Sequence, residues 1–164
     1  MNITLYGAAG NLTGSAYYIQ SRDANVLVDF GLFQGDRSLE HHNFNMPQIN
    51  TESLDAVIIT HAHTDHTGRL PLLIRNGYSG KIYATGATIE MTGLLLMDSV
   101  KVNNSDTERK NRKLKRAGKP LLKPAYNEED VHKVISLMTE VSYNTFIDIA
   151  SGIKIRLRDS GHML

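Results

Sequence analysis

The 164-residue chain is 41% hydrophobic and 21% charged, has a formal net charge of +1 and contains no cysteine. That length and balance suit one globular domain with its own core and exclude a disordered or collagen-like chain. No apolar run approaches the ~20 residues of a spanning helix, no basic-then-apolar leader is visible, and disulfides and thiolate metal ligands are ruled out, so the expectation is a cytoplasmic protein that does not engage a membrane.

The first third predicts short strands. Residues 2–7 alternate with Ile3 and Leu5, residues 16–20 carry Tyr17, Tyr18 and Ile19, and residues 26–30 read VLVDF after a turn at Asp23. Residues 55–60, DAVIIT, are continuously apolar up to Thr60, the mark of an interior strand. That strand delivers the chain into THAHTDHTG, residues 60–68, where three of the seven histidines stand within six positions. Next, Leu70, Leu73 and Ile74 keep helical spacing, with Gly77 as a stop. Residues 81–85 predict a strand, and residues 86–102 a long helix with Ala87, Met91, Leu94 and Leu95 on one face. A further helix over 128–141 is capped by Asn127, has Glu128, Glu129 and Asp130 in its first turn, and carries a stripe of Val131, Val134, Ile135 and Met138. Strands around 145–149 and 153–157 complete an α/β layered sandwich.

The histidine-rich stretch has the chemistry of a metal site. Alternate side chains of an extended segment point the same way, so His61 and His63 can converge on one ion, and Asp65 and His66 just beyond can face a second. Paired metals ~3.5–4 Å apart clamp attacking and leaving oxygens together. A loop that needed only polarity would not require the pattern HxHxDH. His41 and His42 are adjacent in an Asn-rich stretch and read as a surface loop.

THAHTDHTGRLP resembles the signature of the metallo-β-lactamase superfamily. Flanking text resembles its RNA-processing branch, which carries the β-CASP insertion: GAAGNLTGSAYYI, VLVDFGLFQG, KIYATGATIEMTGLLLMDSVKV and the closing DSGHML fall in the family order. The resemblance implies the αββα sandwich of that superfamily, present here as its N-terminal portion. It also implies two Zn2+ ions, with Mn2+ or Fe2+ as acceptable substitutes. His61, His63 and His162 would bind one ion and Asp65 and His66 the other, while Asp29 would orient the ligand turn. The alternative for Asp29 is a strand-end turn residue before Gly31. Asp65 would also orient an activated water for attack on an RNA phosphodiester. On this resemblance residues 1–164 are the N-terminal part of the domain. A bridging aspartate, the general-acid histidine, the β-CASP domain and the rest of the sandwich would lie outside the chain, leaving room for a homodimer in the full-length protein. The alternatives are a small-molecule ester, thioester or lactone hydrolase on the same scaffold, or a catalytically incomplete RNA-binding fragment.

The net charge conceals an asymmetry. Residues 101–124 hold nine Lys/Arg against two Asp/Glu. Arg109, Lys110, Arg112, Lys113, Lys115, Arg116 and Lys119 read either as RNA-backbone contacts beside the metals or as a solvated face. No aromatic residue interleaves with them, which weakens a base-stacking role. Gly118 and Pro120 close the run in a turn.

Overall fold

A computed structural model describes residues 1–36 and 38–163; Leu164, the last residue of the DSGHML element, lies outside the described residues. Six strands form one mixed sheet in chain order: β1 (Asn2–Gly7), β2 (Ala16–Gln20), β3 (Asn25–Val28), β4 (Ala56–Ile58), β5 (Lys81–Ala84) and β6 (Met138–Glu140). β1, β2 and β3 are antiparallel neighbours, and β3 through β6 run parallel. A separate hairpin pairs β7 (Ile147–Ala150) with β8 (Ile153–Ile155). The helices are α1 (Thr64–Thr67), α2 (Leu70–Arg75), α3 (Gly86–Arg116) and α4 (Glu128–Leu137).

Strand alternation sorts the core into two sides. Leu27, Val57, Ile59 and Ile82 face one way and pack with Leu73, Leu96, Val100 and Val134 of the helices. Val26, Ala56, Ile58 and Tyr83 face the other way and pack with Ile149 and the hairpin residues Ile147, Ile153 and Ile155. Burial on both faces accounts for the unbroken apolar run in β4, and each fully buried aliphatic side chain contributes about 1.5–3 kcal/mol. The result is a helix layer, a central sheet and a hairpin layer.

Parallel pairing also sets the site. The carboxyl ends of β3, β4 and β5 lie at one edge, where ligands of open α/β sheets bind. Asp29, the segment from Thr60 to His66, and Thr85 emerge there directly after those strands.

Three expectations change. The strand predicted over 26–30 ends at Val28, because Asp29 takes a left-handed backbone with φ 60°. The helix predicted over 128–141 stops at Leu137, and Met138 instead pairs with Ile82 of β5, so tertiary pairing overrides helical spacing. The helix predicted over 86–102 runs on to Arg116, since its Glu, Lys, Arg and Leu residues are good helix formers until Gly118 turns left-handed. Its buried face is Thr88, Thr92, Leu96 and Val100, every fourth residue, whereas Met91 is 42% and Leu94 68% exposed. Small threonines bring the helix close to its neighbours, and Ala87 and Met91 turn instead to an open cleft.

Candidate metal centre

Asp29 organises the site from below. It is 1% exposed, and its Oδ1 accepts the Thr60 backbone N–H at 2.8 Å. Its Oδ2 accepts the Thr60 hydroxyl at 2.8 Å and lies 2.8 Å from His66 Nδ1. The Thr60 oxygen is in turn 3.0 Å from His61 Nδ1. With the Thr60 hydroxyl donating to Asp29, its oxygen is free to accept from His61 Nδ1–H. That assignment puts the ring hydrogens of His61 and His66 on Nδ1 and turns both Nε2 lone pairs outward, the orientation a ligating imidazole requires.

The turn from His61 to His66 is held by backbone contacts. His66 N–H donates to His63 carbonyl oxygen at 2.9 Å as α1 begins, which places Asp65 and His66 on its first turn. Ser15 N–H donates to the Asp65 carbonyl at 2.9 Å, and Phe30 N–H to the His66 carbonyl at 2.8 Å. Gly31 lets these segments meet: a Cβ there would stand 1.6 Å from the Asp65 carbonyl oxygen. Gly31→Ala is therefore expected to destabilise the fold by about 1–3 kcal/mol or more and to displace the Asp65 turn, as read by urea unfolding. An unchanged midpoint would contradict this packing.

Three imidazoles converge above the turn. His61 Nε2 lies 3.0 Å and His162 Nε2 3.2 Å from His63 Nδ1, and the nitrogens offered by the three residues all fall within 4.8 Å of one another. Nitrogens bound to one tetrahedral ion at ~2.0–2.1 Å stand about 3.3 Å apart, so spacing and donor chemistry both fit a metal. His162 arrives from the segment after β8, 99 residues from His63 in the sequence. Beside this cluster Asp65 Oδ2 is 3.7 Å from His66 Nε2, a separation that two ligands of one ion can span. The rings of His61 and His66 are 4.0 Å apart between centroids, so the two groups adjoin.

The electrostatics differ between the two groups. Burial, followed by the charge of His66, pushes the His61 imidazole below its ordinary pKa, which keeps its lone pair available. Burial acts the same way on His66, but the hydrogen bond and charge of Asp29, with the charge of Asp65, outweigh it and leave that pKa raised.

Some expected and unexpected residues fall elsewhere. Arg109, Lys110, Arg112, Lys113, Lys115 and Arg116 occupy the far end of α3, and Lys119 follows its turn. The helix begins beside His61 at Thr85, so the run from Arg109 to Arg116 lies roughly 35–45 Å along the axis, at ~1.5 Å per residue. This removes the basic run from the position beside the histidine cluster. His41 and His42, expected in a surface loop, lie in a single turn of 3-10 helix, Glu40–Asn43, with their rings tilted at 38° and centroids 3.9 Å apart. Thr60 and Arg69 were not singled out by the sequence. Thr60 carried a signal in its place between an apolar strand and the first histidine. Arg69 carried none, because its 1% exposure follows from tertiary packing.

The superfamily follows from this geometry together with direct comparison. Residues 9–141 match the sequence profile of the metallo-beta-lactamase superfamily, and the chain belongs to that superfamily. It is 33% identical over 166 residues to the transcription termination factor FttA of Cenarchaeum symbiosum, an alignment covering 100% of the chain and 24% of the factor. It is 32% identical over 164 residues to ribonuclease TTHA0252 of Thermus thermophilus, covering 99% of the chain and 33% of that protein. The chain thus spans about a quarter to a third of the length of these curated relatives. Among solved structures, an archaeal metallo-beta-lactamase superfamily protein from Sulfolobus tokodaii aligns with TM-score 0.43 at 23% identity, covering 88% of this chain and 48% of that one. Among the described residues, no helix is long and apolar enough to cross a membrane.

Proposed function

We propose that the chain is the N-terminal part of a metal-dependent hydrolase of RNA phosphodiester bonds, of the β-CASP branch, working in the cytoplasm. The observation that carries this reading is the convergence of His61, His63 and His162 beside the Asp65–His66 pair. The similarity to a protein named as a ribonuclease and to a termination factor supports RNA as substrate and partner. His61, His63 and His162 would hold one Zn2+, and Asp65 and His66 a second, with Mn2+ or Fe2+ as substitutes. Such ions, when bound, activate water and stabilise charge developing around phosphorus.

The residues of the chain supply orientation. Asp29 and Thr60 fix the imidazole rings, so binding need not freeze them. Asp65 turns Oδ2 toward His66, which leaves Oδ1 to accept a hydrogen bond from an attacking water and hold it in line.

A labelled-RNA cleavage assay on the chain and on the full gene product, with chelator and after adding Zn2+, Mn2+ or Fe2+ back, tests this reading. The full product is expected to cleave RNA, to stop with chelator and to recover with metal. Turnover of thioesters or lactones without RNA cleavage would contradict it.

A further inference from the structure

The cleft that contains His61 and His162 has a volume of about 700 Å3 and is also lined by Arg156, Arg158 and Tyr143. β8 ends at Ile155, and the chain just beyond it keeps an alternating exposure: Ile153, Ile155 and Leu157 are partly buried against the second core cluster, whereas Arg156 and Arg158 are exposed. Their neighbour Lys154 has a partner, Asp148, at 3.6 Å. Among the described residues neither Arg156 nor Arg158 makes an ion pair. Asp159, the carboxylate lining the cleft, accepts the Gly161 N–H through Oδ1 at 2.8 Å and so closes its own turn.

Aromatic side chains accompany this pair. The Arg156 guanidinium stands 4.4 Å over the Phe146 ring, an arrangement that fixes the planar fork while leaving its N–H edge available. Tyr143 is 51% exposed on the same cleft and presents a face on which a base can stack. The basic run at the end of α3 has no such aromatic neighbours in its sequence and lies far from the histidines.

We infer that Arg156 and Arg158 are positioning residues that hold the phosphates flanking the one presented to the histidine cluster, with Tyr143 supporting an adjacent base. This rests on the reading of the site as an RNA hydrolase. Planar guanidinium groups pair with phosphate oxygens bidentately, which sets the register of the strand as well as its affinity.

The test is fluorescence anisotropy of a short labelled single-stranded oligoribonucleotide titrated with the chain in chelator, where turnover is stopped, over a series of salt concentrations. Arg156→Ala and Arg158→Ala are each expected to weaken binding about tenfold and to reduce the slope of log K against log salt by about 0.7. Arg→Lys at either position retains most of the slope but not all of the affinity, since it keeps the charge and loses the fork. Lys133→Ala, at an exposed position of α4, is the charge control and should change neither quantity. Affinity within twofold of wild type and an unchanged slope in both alanine variants would overturn the inference. Arginine-dependent binding together with a metal-loaded full gene product that never cleaves RNA would leave the phosphate track standing and remove the hydrolase reading. RNA cleavage with arginine-independent binding would do the reverse.

Discussion

Replacing Asp29 with alanine is expected to lower metal affinity at the histidine cluster by about 10–100-fold, measured by competition with a chromophoric chelator. The carboxylate meets Thr60 N–H, Thr60 Oγ1 and His66 Nδ1, each at 2.8 Å, so its loss releases two ring orientations together. Asp29→Asn separates two roles. Asparagine tolerates the φ of 60° and keeps an oxygen for Thr60, but it cannot serve as anionic acceptor for His66. A loss shared by both variants assigns the effect to the carboxylate. A loss confined to alanine assigns it to what asparagine keeps, the Thr60 contact and the backbone conformation, and unchanged affinity in both would make Asp29 a turn residue only.

Arg69→Met is expected to cost about 3–5 kcal/mol of stability in urea unfolding, the largest effect foreseen away from the ligands. Arg69 donates to the carbonyls of Gly14, Gly31 and His42 and lies 4.3 Å from the Phe30 and 4.7 Å from the Phe33 ring centroids. Burial pushes its pKa down to about 10, so it remains charged at neutral pH. The carbonyls of Gly14 and Gly31, together with aromatic faces, substitute for a carboxylate partner. Removing the guanidinium leaves buried acceptors without donors next to the Asp65 turn. Arg69→Lys should recover little, because one ammonium cannot reach three divergent carbonyls. A loss below about 1 kcal/mol in Arg69→Met would contradict this role.

The residues most legible in the sequence were those whose pattern is local. The double-sided burial of β4 showed in its unbroken apolar run, and the cap of α4 showed in Asn127 and Asp130, which form a reciprocal capping box. His61, His63, Asp65 and His66 could be read as a group because one short turn carries them all. His162 could not: its approach to His63 depends on how the hairpin packs under the sheet, and only the family resemblance pointed to it. α3 misled in two ways for related reasons. Its apolar residues suggested one face while threonines formed the packed one, and the helix was expected to end at 102 although its charged residues continue it to Arg116. Arg69 gave no signal because a sequence does not show which carbonyls will surround a guanidinium. Arg156 and Arg158 drew no notice among the many cations, since what distinguishes them is the cleft they share with the histidines.

The most direct test of the metal centre is the metal content of the chain after equilibrium dialysis against Zn2+, measured by plasma mass spectrometry for wild type and His63→Ala. His63 Nδ1 is the nitrogen that both His61 and His162 approach, at 3.0 and 3.2 Å, so its removal should empty the three-histidine position. Zinc is expected to bind tightly to wild type, and at least one equivalent is expected to be lost in His63→Ala, with folding retained by circular dichroism. Equal zinc content in the two proteins, or none in wild type, would contradict it.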